Sequence, residues 1–145
     1  MITVQTKVQA PLDKIWSFWT VPEHITKWNS ASEDWHTPYA DNDLKVGGKF
    51  KYTMASKDGT MSFDFIGTYS VIQDKRKIAY TIEDGREVII VFEQQEDGVI
   101  IRESFDPELE NPKELQQQGW QAILDNFKKY VEANFDISST MRIKQ

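Results

Sequence analysis

Few side chains in this sequence could carry chemistry. His24 and His36 are the only imidazoles, and there is no cysteine. Nucleophilic catalysis needs a hydroxyl or thiol beside a histidine base that is held in turn by an acid. His24 follows Pro22-Glu23 in a helical turn and His36 follows Trp35, positions that read as exposed or capping histidines. Neither lies in a His-x-x-x-His or similar spacing, so a metal would have to recruit distant carboxylates, and no metal site is expected. Without cysteine there is no disulfide, zinc–thiolate site, iron–sulfur cluster or cysteine nucleophile. Gly47-Gly48 lacks the context of a phosphate cradle and reads as a turn or bulge before a strand. No catalytic residue and no cofactor is assigned.

Carboxylates are the stronger candidates, because a buried Asp or Glu with a raised pKa can move protons inside an apolar pocket. Glu33-Asp34 precede Trp35, and Asp64 alternates with Phe63 and Phe65, which points it away from them toward solvent. Glu103 shares a face with Val99, Ile101 and Phe105. Either it faces inward onto a pocket, or it sits at a sheet edge paired to Arg or Lys. The aromatic load is the other feature, at five Trp, eight Phe and five Tyr. Buried Tyr and Trp need partners for their polar tips, and a pocket with a few placed polar groups supplies them. Trp28, Phe50, Tyr52, Phe63, Phe65, Tyr69, Tyr80, Trp120, Leu124 and Phe127 are the candidate walls, with Glu103 as a polar anchor; the alternative is an ordinary aromatic core.

The elements that position these residues are bounded by size. At 145 residues and 39% hydrophobic composition, one domain with one core is expected. No run approaches the roughly 20 apolar residues of a membrane span, and the start lacks a signal peptide's basic and apolar regions, so a cytoplasmic protein is expected. The net charge of −6 argues against nucleic acid or an anionic membrane as partner, including for the interleaved Lys49-Phe50-Lys51-Tyr52. Residues 83–114 hold eleven acidic side chains against three basic. They read as a solvated sheet edge and loop, or as a docking face for a basic partner.

Hydrophobic spacing then divides the chain. Ile2 to Val8 reads as a strand; Pro11 opens a helix carrying Leu12, Ile15, Trp16 and Trp19; Pro22 starts a second carrying Ile25 and Trp28. From Trp35 the period is two. Phe50, Tyr52 and Met54 share one face, and Met61, Phe63, Phe65, Gly67, Tyr69 and Val71 share a face of a long strand after the turn at Lys57-Asp58-Gly59-Thr60. Three more strands are separated by turns at Asp84-Gly85 and Asp97-Gly98. Asn111-Pro112-Lys113-Glu114 supplies an N-cap, a helical proline and an acid for a long helix to about Asn134. Its stripe is Leu115, Trp120, Ile123, Leu124, Phe127 and Val131. Gly119 inside it implies close approach to the sheet or room for a ligand. A domain over 1–134 with a patternless tail over 135–145 is expected, of class α+β.

In order and spacing, several pieces between residues 3 and 133 resemble the START-like (SRPBCC, helix-grip) superfamily, and its branch related to the activator of the heat-shock-protein-90 ATPase. They are Ala10-Pro11 with Ile15-Trp16, Thr20-Val21-Pro22-Glu23 with Trp28, Asp43 to Gly48 with Phe50, Gly67-x-Tyr69 with Ile78-x-Tyr80-Thr81, and Gly119-Trp120 with Leu124, Phe127 and Tyr130. The resemblance implies a curved antiparallel sheet, two short helices after the first strand, and a long C-terminal helix closing an apolar pocket. Superfamily members bind lipids, sterols, polyketides and plant hormones, and a few are cyclases or hydroxylase components. The expectation is therefore a non-catalytic binder of a small hydrophobic or amphipathic molecule, monomeric or weakly dimeric. The alternatives are a single-domain chaperone cofactor, lacking the further domain of the chaperone activators, and a cyclase-like or hydrolase-like enzyme using the same pocket.

Overall fold

A computed structural model describes residues 1–144, and side-chain surroundings for residues 1–134. In chain order the elements are β1 (Ile2–Val8), α1 (Leu12–Thr20), α2 (Pro22–Trp28), β2 (Trp35–Asn42), β3 (Lys49–Ser56), β4 (Ser62–Gln73), β5 (Lys77–Ile82), β6 (Glu87–Gln95), β7 (Gly98–Phe105) and α3 (Lys113–Lys144). The strands form one seven-stranded antiparallel sheet in the order β1-β7-β6-β5-β4-β3-β2. β2 to β7 is a meander of hairpins, and β1 returns to close against β7 at the far edge. α1 and α2 carry the chain from one edge of the sheet to the other. The sheet curls around α3, which gives the α+β class expected from the order of elements and the helix-grip architecture that the resemblance implies.

Alternation sets the core. In β7, Val99, Ile101, Glu103 and Phe105 all turn to the concave face, and each is buried. Val4 and Val8 join them from β1, paired across from Glu103 and Val99. α3 lays Leu124, Phe127 and Val131, one helical stripe at 0% exposure, over this end of the sheet and against the two short helices. Trp19 and Trp28 clasp Phe127 between them, each ring centre 4.8 Å from it.

Several local readings are corrected. The proline expected to open α1, Pro11, sits at the N-cap position just outside Leu12–Thr20. Pro112 likewise precedes α3, accepting from the amides of Leu115 and Gln116. Asn111 does not cap; its side chain donates to Glu108 Oε1 at 2.7 Å. In β4 the register slips between Tyr69 and Val71, an extra residue at Ser70 that turns the strand over. Val71 thereby leaves the face it was assigned, and Ile72 packs on the core instead. The acidic segment is not a sheet edge, because β6 and β7 are interior strands; apart from Glu103 on the concave face, most of its carboxylates stand in the loops at the strand ends, with Glu93 on the outer face paired to Arg102. α3 runs past the expected end at Asn134 to Lys144, since no Gly or Pro follows Gly119 to stop it. The tail side chains from Phe135 onward, and Gln145 altogether, lie outside the described residues. Among the described residues no helix is long and apolar enough to cross a membrane.

Gly67 is a required glycine. Opposite Phe50 in the β3–β4 register, a Cβ there would run into the Phe50 ring and lie 3.2 Å from the Thr81 carbonyl. Phe50 is 2% exposed and has rings on every side, so it has little room to move. Gly67→Ala is expected to lower unfolding stability by about 1–3 kcal/mol through overpacking, read as a lower urea midpoint at unchanged slope.

Candidate functional site

The helix stripe that covers the β1–β7 end leaves the other half of the concave face open beneath the N-terminal half of α3. A cavity of about 420 Å³ lies there. Its sheet wall is Tyr52 on β3, Phe65 and Tyr69 on β4, Ile78 and Tyr80 on β5, and Glu103 on β7. Trp19 and Thr20 of α1, Trp28 of α2, and Gly119, Trp120 and Ile123 of α3 form the opposite side. Asn29, Ala31, Met54, Phe63, Arg86, Glu108, Asn111, Leu115 and Gln116 complete the lining, with Phe63 and Leu115 about half exposed.

Local sequence explains the aromatic wall. Because Gly67 has no side chain, the Phe50 ring lies across it and props three tyrosines, with ring centres 4.8 Å from Tyr52, 5.4 Å from Tyr69 and 4.7 Å from Tyr80. On the helix side, Trp120 stacks on Phe105 at 4.1 Å with the rings 10° apart, and Trp28 donates from Nε1 to the Phe18 carbonyl at 2.9 Å. Gln116 ties down the loop before α3: it accepts from the Glu108 amide at 2.8 Å and donates to the carbonyls of Glu108 and Asn111. The rim is therefore fixed by a buried amide rather than by a capping box.

Of the eleven side chains assigned from sequence, Trp28, Tyr52, Phe63, Phe65, Tyr69, Tyr80, Glu103 and Trp120 line the cavity. Phe50, Leu124 and Phe127 do not; they are core, at 2%, 0% and 0% exposure. Leu124 and Phe127 fall on the part of the α3 stripe that meets β1 and the short helices, one turn beyond the opening. Among the lining residues missed, Trp19 was visible as part of the α1 stripe. Arg86, Glu108 and Asn111 come from loops at strand ends, where no periodicity marks them. Gly119 is resolved between its two readings: a Cβ there would meet nothing within 4 Å, so the residue borders open space rather than a close helix–sheet contact.

Glu103 is the polar feature of the cavity. At 6% exposure it stands in a cross-strand row between Val4 and Ile90. Burial alone pushes its carboxyl up to about 8. The edge position and basic partner considered from sequence are both absent: β7 is interior, and no described ion pair or hydrogen bond reaches this carboxyl. Since no buried polar side-chain atom is left without a partner among the described residues, its oxygens open onto the cavity. Burial also raises Tyr52 and Tyr80 well above 10, the Glu103 charge adding to the effect on Tyr80. Tyr69 is raised by burial too, while its hydroxyl accepts a long 3.5 Å bond from Asn42.

The remaining candidates lie elsewhere. His24 is neither exposed nor capping: its Nδ1 is 2.7 Å from the Tyr130 hydroxyl and its ring stacks on Phe18 at 4.1 Å. Burial lowers its pKa, as expected of a half-buried structural imidazole. His36 is exposed, and Asp64 faces outward between Thr53 and Lys51. Among the described residues no three His, Cys, Asp or Glu side chains converge as metal ligands.

A curled antiparallel sheet gripping one long helix over an aromatic cavity defines a helix-grip protein of the α+β class. The chain belongs to the family described as Activator of Hsp90 ATPase homolog 1-like protein, whose model matches residues 9–132. It is similar to the solution structure of an AHSA1-like protein from Aeromonas hydrophila, at 41% identity and a TM-score of 0.87 over 92% of both chains. A solution structure from Cytophaga hutchinsonii is 56% identical, with a TM-score of 0.80 over 93% of this chain and 94% of that one. A crystal structure from Nitrosomonas europaea shares the fold at 16% identity, with a TM-score of 0.78 over 92% and 94% of the two chains. No curated protein matches the chain.

Two outcomes follow from the site. Unfolded, Glu103 titrates near 4.5; folded, near 8. Below 4.5 both states hold the proton and nothing is lost, between the two values only the unfolded chain releases it, and above 8 the loss of stability is complete. Glu103→Gln is therefore expected to be more stable than the wild type by on the order of 3–5 kcal/mol at pH 8.5, with the difference shrinking toward pH 4.5, as read by urea unfolding across pH. Gly119→Ala adds a methyl into open space and is expected to stabilise by about 0.5–1 kcal/mol in the same measurement.

Proposed function

We propose that this protein holds one small hydrophobic or amphipathic molecule in the cavity between the sheet and α3, without chemical conversion, as a monomer or weak dimer in the cytoplasm. The observation that carries the reading is an aromatic-walled cavity of about 420 Å³ with a single unpaired carboxyl on its floor. A space of that size suits a small ligand, and apolar walls with few polar groups are the usual make-up of such sites. Filling the cavity would bury the exposed faces of Tyr52, Phe65 and Trp120, each methylene removed from water adding about 0.8 kcal/mol.

A second reading draws on the family description and on the acidic loops at the ends of β6 and β7: a module that docks a basic partner protein. Such docking would weaken steeply with salt, whereas capture of an apolar molecule would not.

The test is native mass spectrometry of the protein from its own host, paired with a thermal-shift screen of lipids, sterols and aromatic metabolites on the wild type and Gly119→Leu. A leucine at 119 projects into the cavity from an unstrained helical position. A ligand at one hundred times its Kd is expected to stabilise the wild type by about 2.7 kcal/mol and the folded Gly119→Leu far less. No co-purifying molecule, and equal shifts in both proteins, would contradict the reading.

A further inference from the structure

Resting on the cavity-binding reading, we infer that the ligand carries one cationic amine or quaternary ammonium group, seated against the Glu103 carboxylate within a ring of aromatic faces. Three observations converge. Glu103 is a buried carboxyl with its oxygens toward the cavity and no protein cation to meet it among the described residues. Arg86, the basic residue in the lining, is already committed to Asp84, its Nε 2.8 Å from Oδ2. The one guanidinium of the lining thus already faces a carboxylate, while the Glu103 carboxyl has no counter-charge and is free to meet a cationic ligand. Rings from both sides, Tyr52, Phe65, Tyr80, Trp19 and Trp120 among them, line the same space. Aromatic faces attract a desolvated ammonium and do nothing comparable for an anion.

Removing either partner of a buried ion pair leaves an uncompensated charge, and a Glu103 carboxylate without a protein counter-charge resembles that half-pair. The ligand-free protein avoids the charge by keeping Glu103 protonated near neutral pH. An ammonium entering the cavity displaces that proton, which leaves to solvent as the carboxylate forms. Binding of a permanently charged ammonium should then tighten as pH rises toward 8 and level off above it.

Other titrating groups do not confuse this dependence. Facing Glu103, β1 presents Val4 and β6 presents Ile90, both apolar, and the lining residues of α3 include no ionisable side chain. β5 contributes Tyr80, and the far wall Tyr52 and Tyr69, all raised above 10. Arg86 is joined to Asp84, and Glu108 is held below its ordinary value by its bonds from Asn111. Between pH 6 and 9 Glu103 is the cavity group that changes charge.

The experiment compares three probes of equal chain length, octyltrimethylammonium, octanol and octanoate, by calorimetric and NMR titration from pH 6 to 9 against the wild type and Glu103→Gln. The expected result is ammonium binding at least tenfold tighter than octanol at pH 8.5, rising roughly tenfold per pH unit between pH 6 and 7.5. In Glu103→Gln the ammonium preference and its pH dependence should vanish while octanol binding persists. Should that variant not fold, the wild-type pH profile alone decides. Octanol binding with no ammonium preference, or tighter binding of octanoate, overturns this inference and leaves the cavity reading standing. Binding of none of the three overturns both.

Discussion

One helix cannot fill the concave face of a seven-stranded sheet, and the whole structure follows from which half it covers. A helix with side chains is about 10–12 Å across, while neighbouring strands are spaced at about 4.8 Å, so α3 spans two or three strands. Its fully buried stripe, Leu124 to Val131, lies over the β1–β7 end and the short helices. The β3–β5 half is left with aromatic side chains that lean on one another instead of on the helix. Phe50, seated over Gly67, holds that half open by bracing the three tyrosines from below. The cavity is thus a consequence of geometry, and its walls are rigid because the residues behind them are core.

Within that frame Glu103 is the costly choice. Any aliphatic side chain at this place in β7 would continue the row formed by Val4, Ile90 and Ile78 and would make the domain more stable. A carboxyl there gives no fold stability at neutral pH, and it meets no partner in the described protein. Its consequence is chemical: it sets an unpaired carboxyl into the aromatic wall, apart from the polar side chains of the rim, Arg86, Glu108, Asn111 and Gln116. The helix-grip architecture alone does not call for a carboxyl at this place, since an aliphatic residue at 103 would serve the fold.

Much of this arrangement was legible in the residues. Alternation placed the strands, and the parity of Glu103 with Val99, Ile101 and Phe105 placed it inward. What parity could not supply was strand order, and hence whether Glu103 lay at an edge beside a basic partner or in the middle of the sheet. The extra residue at Ser70 was equally invisible, because a slip in register depends on pairing with β5 and not on the strand's own pattern. Leu124 and Phe127 share the inward stripe of α3 with the true wall residue Trp120, because helical periodicity identifies the inward face but not the point along it where the sheet curves away. The rim residues Arg86, Glu108 and Asn111 come together from separate loops, and nothing in their spacing announces it.

The character of the cavity turns on Glu103 standing in its wall without a partner among the described residues. Its most direct test is carbon-13 NMR of the side-chain carboxyl of Glu103, assigned by comparison with Glu103→Gln and followed from pH 3 to 10. A midpoint near 8 is the result the structure predicts. A midpoint near 4.5, the ordinary value for a glutamic acid, would mean that the carboxyl is solvated or paired, and would contradict the account at its centre.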